Sequence, residues 1–174
     1  MTSAVLSKML KAFGAPRIDY HKLVQWACAG DALFRAYYYD CLPHQSADPT
    51  KEESERVSKA QRFFSALQDG PRFTVRLGRL EYRGTDDRGS PLFVQKRVDL
   101  QLGLDIASVV AKDRVATIAI VSGDSDLIPA VQFADEAAVI VRLVHGPERT
   151  YHRELWKLAD ERQELTAAVC QSLM

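Results

Sequence analysis

The stretch TIAIVSGDSDLIPAVQ, Thr117–Gln132, decides the fold class. An apolar, mostly β-branched run reaches Val121, and the polar turn Ser122-Gly123-Asp124-Ser125-Asp126 follows it. A helix then opens with Leu127 and Ile128, with Pro129 in its first turn, where proline is tolerated. An apolar run of this kind reads as a strand buried on both faces of a parallel sheet. Open α/β sheets hold their ligands at the carboxyl ends of the strands. Asp124 and Asp126 are therefore delivered to a ligand-binding edge.

Outward from this turn, the spacing predicts helices over 99–112 and 127–137, and strands over 115–121 and 139–144. Further upstream, Val5, Leu6, Met9, Leu10 and Phe13 lie on one helical face, stopped by Gly14 and Pro16. Asp19 is placed to cap a second helix that ends at Gly30, and residues 51–68 form a long amphipathic helix ended by Gly70-Pro71. Leu33–Tyr39 reads as an aromatic-rich strand. Phe73–Tyr82, broken at Gly78, turns through the tip Gly84–Gly89 into Leu92–Val94 as a hairpin. A last helical region carries Leu155, Trp156, Leu158, Leu165 and Val169. Strands alternating with helices predict an α/β three-layer α/β/α sandwich around a mostly parallel central sheet. We expect one domain over residues 1–174, with the hairpin inserted at about 73–95.

Composition narrows the function classes. Lys plus Arg number 23 and Asp plus Glu 23, so no global basic field draws in nucleic acid, and binding would rest on a local patch. Cys28, Cys41 and Cys170 form no CxxC pair and leave one over, which predicts reduced thiols in a cytoplasmic protein. With the four histidines they show no zinc spacing. Lys8 and Lys11 sit inside the first apolar segment, unlike a signal peptide, and no run reaches the roughly 18 apolar residues of a membrane span.

The acids carry the chemistry. Mg²⁺ and Mn²⁺ take oxygen ligands, and one or two carboxylates plus water hold them. Asp124 and Asp126 suit that role, although Asp126 or Ser125 capping the next helix explains the same spacing. On helix 99–112, Asp105 borders the stripe of Leu102, Ile106 and Val109. A carboxylate there is costly unless paired, hydrogen-bonded or metal-bound. Metal binding and a salt bridge to Lys96 or Arg97 both meet the requirement. Asp99 points about 120° away and about 9 Å lower on the axis, so the two do not easily share one ion. Asp99 suits the helix cap.

QKRVDLQLGLD (95–105) followed by TIAIVSGDSDLIPAVQFA (117–134) resembles the NYN domain, of the LabA-like kind, within the PIN-like nuclease superfamily. RAYYYD (35–40), GRLEYRG (78–84) and LWKLADE (155–161) also resemble family segments, and the likeness covers roughly residues 20–160. The resemblance implies a metal-dependent ribonuclease in which Asp105, Asp124 and Asp126 bind Mg²⁺ or Mn²⁺ for RNA phosphodiester hydrolysis. Asp99 would stand near them as a further catalytic acid, and Ser122 and Ser125 would orient the substrate. Family members open with an apolar strand ending in an Asp-Gly-x-Asn-like turn. Here Met1–Pro16 is helical in pattern, so the resemblance implies a sheet short of one central strand and a site short of one acid. Ala137 or Ala138 stands where the family usually has glycine. A missing strand would expose a sheet edge or slot, which invites a protein partner or a homo-oligomer.

Lys96, Arg97, Arg79 and Arg83 would line a phosphate track or form a solvated face. Tyr37, Tyr38 and Tyr39 are candidates for base stacking or for the core, and His145 for the cleft edge or a loop. Cys41 has no partner set for thiol catalysis. Two other functions compete with a ribonuclease. One is a catalytically impaired domain that binds RNA or a protein partner. The other is a phosphatase or transferase, against which stands the lack of a Gly-rich phosphate loop.

Overall fold

The computed structural model describes residues 1–87, 89 and 91–174; Arg88, in the expected hairpin tip, lies outside them. In chain order the elements are α1 (Ser3–Lys11), α2 (Tyr20–Ala27), β1 (Ala36–Asp40), α3 (Lys51–Gln68) and β2 (Phe73–Leu77). There follow β3 (Arg79–Thr85), β4 (Pro91–Lys96), α4 (Val98–Ala111) and β5 (Thr117–Val121). A 3-10 turn (Ser125–Leu127) leads into α5 (Ile128–Glu136), β6 (Ile140–His145), α6 (Arg153–Leu158), β7 (Glu161–Glu164) and α7 (Ala167–Ser172).

The chain is mixed α/β with mostly parallel strands. β1 and β2 pair in parallel, β5, β6 and β7 form a parallel sheet in that order, and β3 and β4 form an antiparallel hairpin. Side-chain alternation on these strands builds two layers. Tyr39, Ile120, Val141 and Leu143 point to one face, where Leu102, Ile106 and Val110 of α4 and Val131 and Ala134 of α5 cover them. On the opposite face, Val121 and Val144 meet α1 and α2 through Leu6, Met9 and Leu23. Also on that face, Tyr38 and Phe73 pack against Phe64 and Leu67 of α3. Helices on both faces of parallel strands give the three-layer arrangement.

Three departures from the sequence pattern are physical. The parallel strands do not form one sheet: among the described residues no ladder joins β1 to β5. Phe73–Tyr82 is two strands in different sheets, divided at Gly78. A Cβ there would lie 2.5 Å from the Lys96 carbonyl oxygen and 2.7 Å from Val98 Cγ2, so the bend requires glycine. The third is β7, inside what the pattern predicts as helix. Its sequence, ERQE, is that of an edge strand, which keeps charge rather than apolar alternation. Of Ala137 and Ala138, at one of which the resemblance expects glycine, Ala138 adopts φ 58°, the left-handed conformation that glycine takes without strain.

Candidate metal centre

The carboxyl end of β5 and the first turn of α4 converge. Fully buried Ser122 directly follows the strand, and its Oγ accepts the Asp124 N–H at 3.3 Å. Asp124 in turn caps the 3-10 turn, its Oδ1 accepting the Asp126 N–H at 3.1 Å. Gly123 lies under the loop before α6. Its carbonyl accepts the His152 N–H at 2.9 Å, and a Cβ on it would collide with the Thr150 carbonyl. Both constraints hold the turn in one shape, and both aspartate side chains leave it on the same side.

Asp99 enters from α4. Arg97, just before the helix, takes a left-handed conformation at φ 74°, which turns the chain from the hairpin into the helix and sets Asp99 in its first turn. Carboxylate oxygens of Asp99, Asp124 and Asp126 lie within 4.8 Å of one another. No Lys, Arg or His among the described residues makes an ion pair with any of the three. Burial raises the Asp99 carboxyl above its ordinary value, and the neighbouring Asp124 and Asp126 charges push it further the same way. An oxygen-only donor set, half-buried at Asp99 and Asp124 and exposed at Asp126, with no cationic partner among the described residues, fits a hard divalent cation.

Asp105 stands elsewhere. Its Oδ2 accepts from the Tyr39 hydroxyl at 2.9 Å and from Arg76 Nε at 3.1 Å, while Oδ1 receives Arg76 Nη2 at 3.0 Å. The trio that the structure assembles thus contains Asp99 in place of the expected Asp105. The cause is the helix itself: six residues put the two acids about 9 Å apart along the axis, so only the first turn reaches the turn after β5. Asp105's cation is Arg76 on β2, rather than Lys96 or Arg97, which are nearer in sequence.

Ser122, expected to orient a substrate, is fully buried and orients Asp124 instead. Ser125 is half-buried at the head of the 3-10 turn. Lys96 and Arg97, half-buried and exposed, lie at the base of the β3–β4 hairpin beside the first turn of α4. Arg83 pairs with Glu81 at 3.2 Å. Tyr38 and Tyr39 are core residues and Tyr37 is half-buried under Arg76, so none of the three presents a free face to a base. His145 is buried, its Nδ1 2.7 Å from the Gly146 carbonyl. Burial and the adjacent Asp40 push the Cys41 thiol up, away from nucleophilic chemistry. Arg76 and Tyr39 are the residues sequence reasoning missed around Asp105, and only the pairing of β1 with β2 brings them to it.

The NYN domain model matches residues 4–165, nearly the whole chain. The chain belongs to the NYN domain family. A crystal structure of a protein of unknown function from Vibrio parahaemolyticus has a similar fold, with a TM-score of 0.61 at 22% identity. The match covers 95% of this NYN chain and 90% of the other. No curated protein matches the sequence. Among the described residues of this NYN domain, no helix is long and apolar enough to cross a membrane.

Proposed function

We propose that this NYN domain is a divalent-metal-dependent ribonuclease, with Asp99, Asp124 and Asp126 holding Mg²⁺ or Mn²⁺. The observation that carries the reading is the convergence of three carboxylates, unpaired with any cation among the described residues, at the carboxyl end of the parallel strand β5. When bound, such an ion neutralises charge on a phosphodiester and lowers the pKa of an attacking water.

The residues of the chain divide the remaining work. Asp124, fixed through the Ser122 hydroxyl and the Asp126 N–H, sets the position of the site. Half-buried Asp99 supplies the inner carboxylate from α4, and exposed Asp126 supplies the outer one, open to water at the rim. Lys96 and Arg97 adjoin Asp99 in the chain and give the otherwise neutral molecule a local cationic patch for a phosphate backbone. Asp105 is assigned a positioning role on β1 and β2.

Cleavage of end-labelled single-stranded RNA with and without Mn²⁺ tests this directly, with Asp124→Asn as control. Metal-dependent cleavage lost in the variant supports the enzyme. A folded protein that binds Mn²⁺ and RNA but leaves the RNA intact would replace the enzyme with a binding module.

A further inference from the structure

Tyr82 is an aromatic side chain that the fold leaves largely uncovered. It stands on β3 at 57% exposure, opposite half-buried Phe93 on β4. Residues paired across an antiparallel ladder project from the same face, and the two rings meet at 5.9 Å with 57° between their planes. Leu80 lies two residues earlier on that face and packs against the core that α4 covers. The aromatic face is thus anchored at the base of the hairpin and opens to solvent farther out.

A flat polar ring already lies on this face. His44 stacks on Phe93 with the ring centres 4.6 Å apart and 30° between planes, the arrangement a nucleobase takes on an aromatic side chain. His44 is exposed and belongs to the loop that follows β1. The same loop begins at Cys41, whose thiol feels the charge of Asp99. Cys41 also closes on the base of the hairpin, since its Sγ would lie 3.0 Å from a Cβ on Gly78. Three residue steps separate Cys41 from His44, a span of at most about 11 Å. One short loop therefore links the metal centre to the aromatic face.

Charge selects the occupant. From Arg79 to Arg97 the sequence carries five lysine and arginine residues against three carboxylates, in a chain that is neutral as a whole. Arg79 and Lys96 are opposite each other at the base of the ladder, and neither makes an ion pair among the described residues. A strand of nucleic acid crossing the hairpin edge meets rings on one face and cations on the other. Stacking needs an unpaired base, because a duplex turns its base faces inward.

We propose that the Tyr82–Phe93 face of the β3–β4 hairpin is a base-stacking subsite for single-stranded RNA, with Arg79 and Lys96 holding the phosphates between it and the metal centre. The subsite rests on the ribonuclease reading for its substrate, but its binding is measured apart from cleavage.

The test uses the full chain without divalent metal, so that bound RNA stays intact, and follows the fluorescence anisotropy of a fluorescein-labelled oligoadenylate. Tyr82→Ala should weaken binding at least about fivefold, and Tyr82→Phe, which keeps the ring, should hold it within about twofold. An abasic oligomer of the same length should bind parent and Tyr82→Ala alike. Arg79→Gln should instead weaken both oligomers equally and flatten the salt dependence. With Mn²⁺ present, Tyr82→Ala should lower kcat/KM for oligoadenylate by the same factor as its affinity. RNA held through Tyr82 but never cut would remove the ribonuclease and keep the subsite. Cleavage by Tyr82→Ala with the parental kcat/KM, or equal affinity of parent and variant for oligoadenylate, would overturn the subsite and keep the ribonuclease. Duplex RNA as sensitive to Tyr82→Ala as the single strand, or no binding of oligoadenylate at low salt, would also overturn it.

Discussion

The first turn of α4 and its middle carry the same side chain and treat it in opposite ways. In the middle, Asp105 is neutralised by Arg76 and hydrogen-bonded by Tyr39, so its charge is spent on joining β1, β2 and α4. In the first turn, Asp99 meets two more carboxylates, half-buried and with no cationic side chain paired to it among the described residues. A paired acid holds the fold. A cluster of acids left unpaired weakens the fold, and that cost is repaid only when something positive binds.

The sharpest way to break this contrast is metal binding. Asp99→Asn should weaken Mn²⁺ binding, followed by calorimetry, by at least about tenfold to a hundredfold, whereas Asp105→Asn should leave it within about twofold. Equal losses would mean that both acids serve the ion. Stability should show the reverse order. Asp105→Ala leaves the Tyr39 hydroxyl and Arg76 without their acceptor and should cost about 1–3 kcal/mol in denaturant unfolding. In a domain of this size each kcal/mol is about 2–4 °C of melting temperature. Asp99→Asn should raise the melting temperature of the metal-free protein by less than that loss, and saturating Mn²⁺ should stabilise the parent but not the variant.

The smallest effect is in pH. Because the folded Asp99 carboxyl holds its proton more tightly than in the unfolded chain, its penalty is absent well below pH 3.8. The penalty is complete only above the raised folded value. The stability advantage of metal-free Asp99→Asn over the parent should therefore shrink as pH falls from neutral toward 4, while Mn²⁺ affinity of the parent falls over the same window. Melting curves at a series of pH values read the first effect. An advantage that grows toward acid would show that Asp99 is not held in repulsion.

Much of the fold was legible because its signals are local. Thr117–Val121 and Val139–Val144 are short, mostly apolar runs, the second interrupted only by Arg142, and the helices over 51–68 and 99–112 show their periodicity. β7 was hidden because an edge strand of charged residues has no pattern to read. The break at Gly78 was legible, but that its two halves join different sheets was not, because the bend there is set against Lys96 and Val98, residues distant in sequence. The site was half legible. Asp124 and Asp126 follow from the strand and turn that carry them, and Asp99 and Asp105 could be separated along their helix by arithmetic.

The sequence by itself determined the strand–turn–helix that carries two acids, the alternation that makes the fold α/β, and the family. The tertiary structure alone decided which acid on α4 completes the cluster, because that depends on which end of the helix meets β5. It also decided that Arg76 neutralises Asp105, since the two meet only when β2 lies beside β1 and β1 beside α4. Periodicity fixes which face of a strand is buried, but the partner along each edge is chosen by the packing of the whole chain.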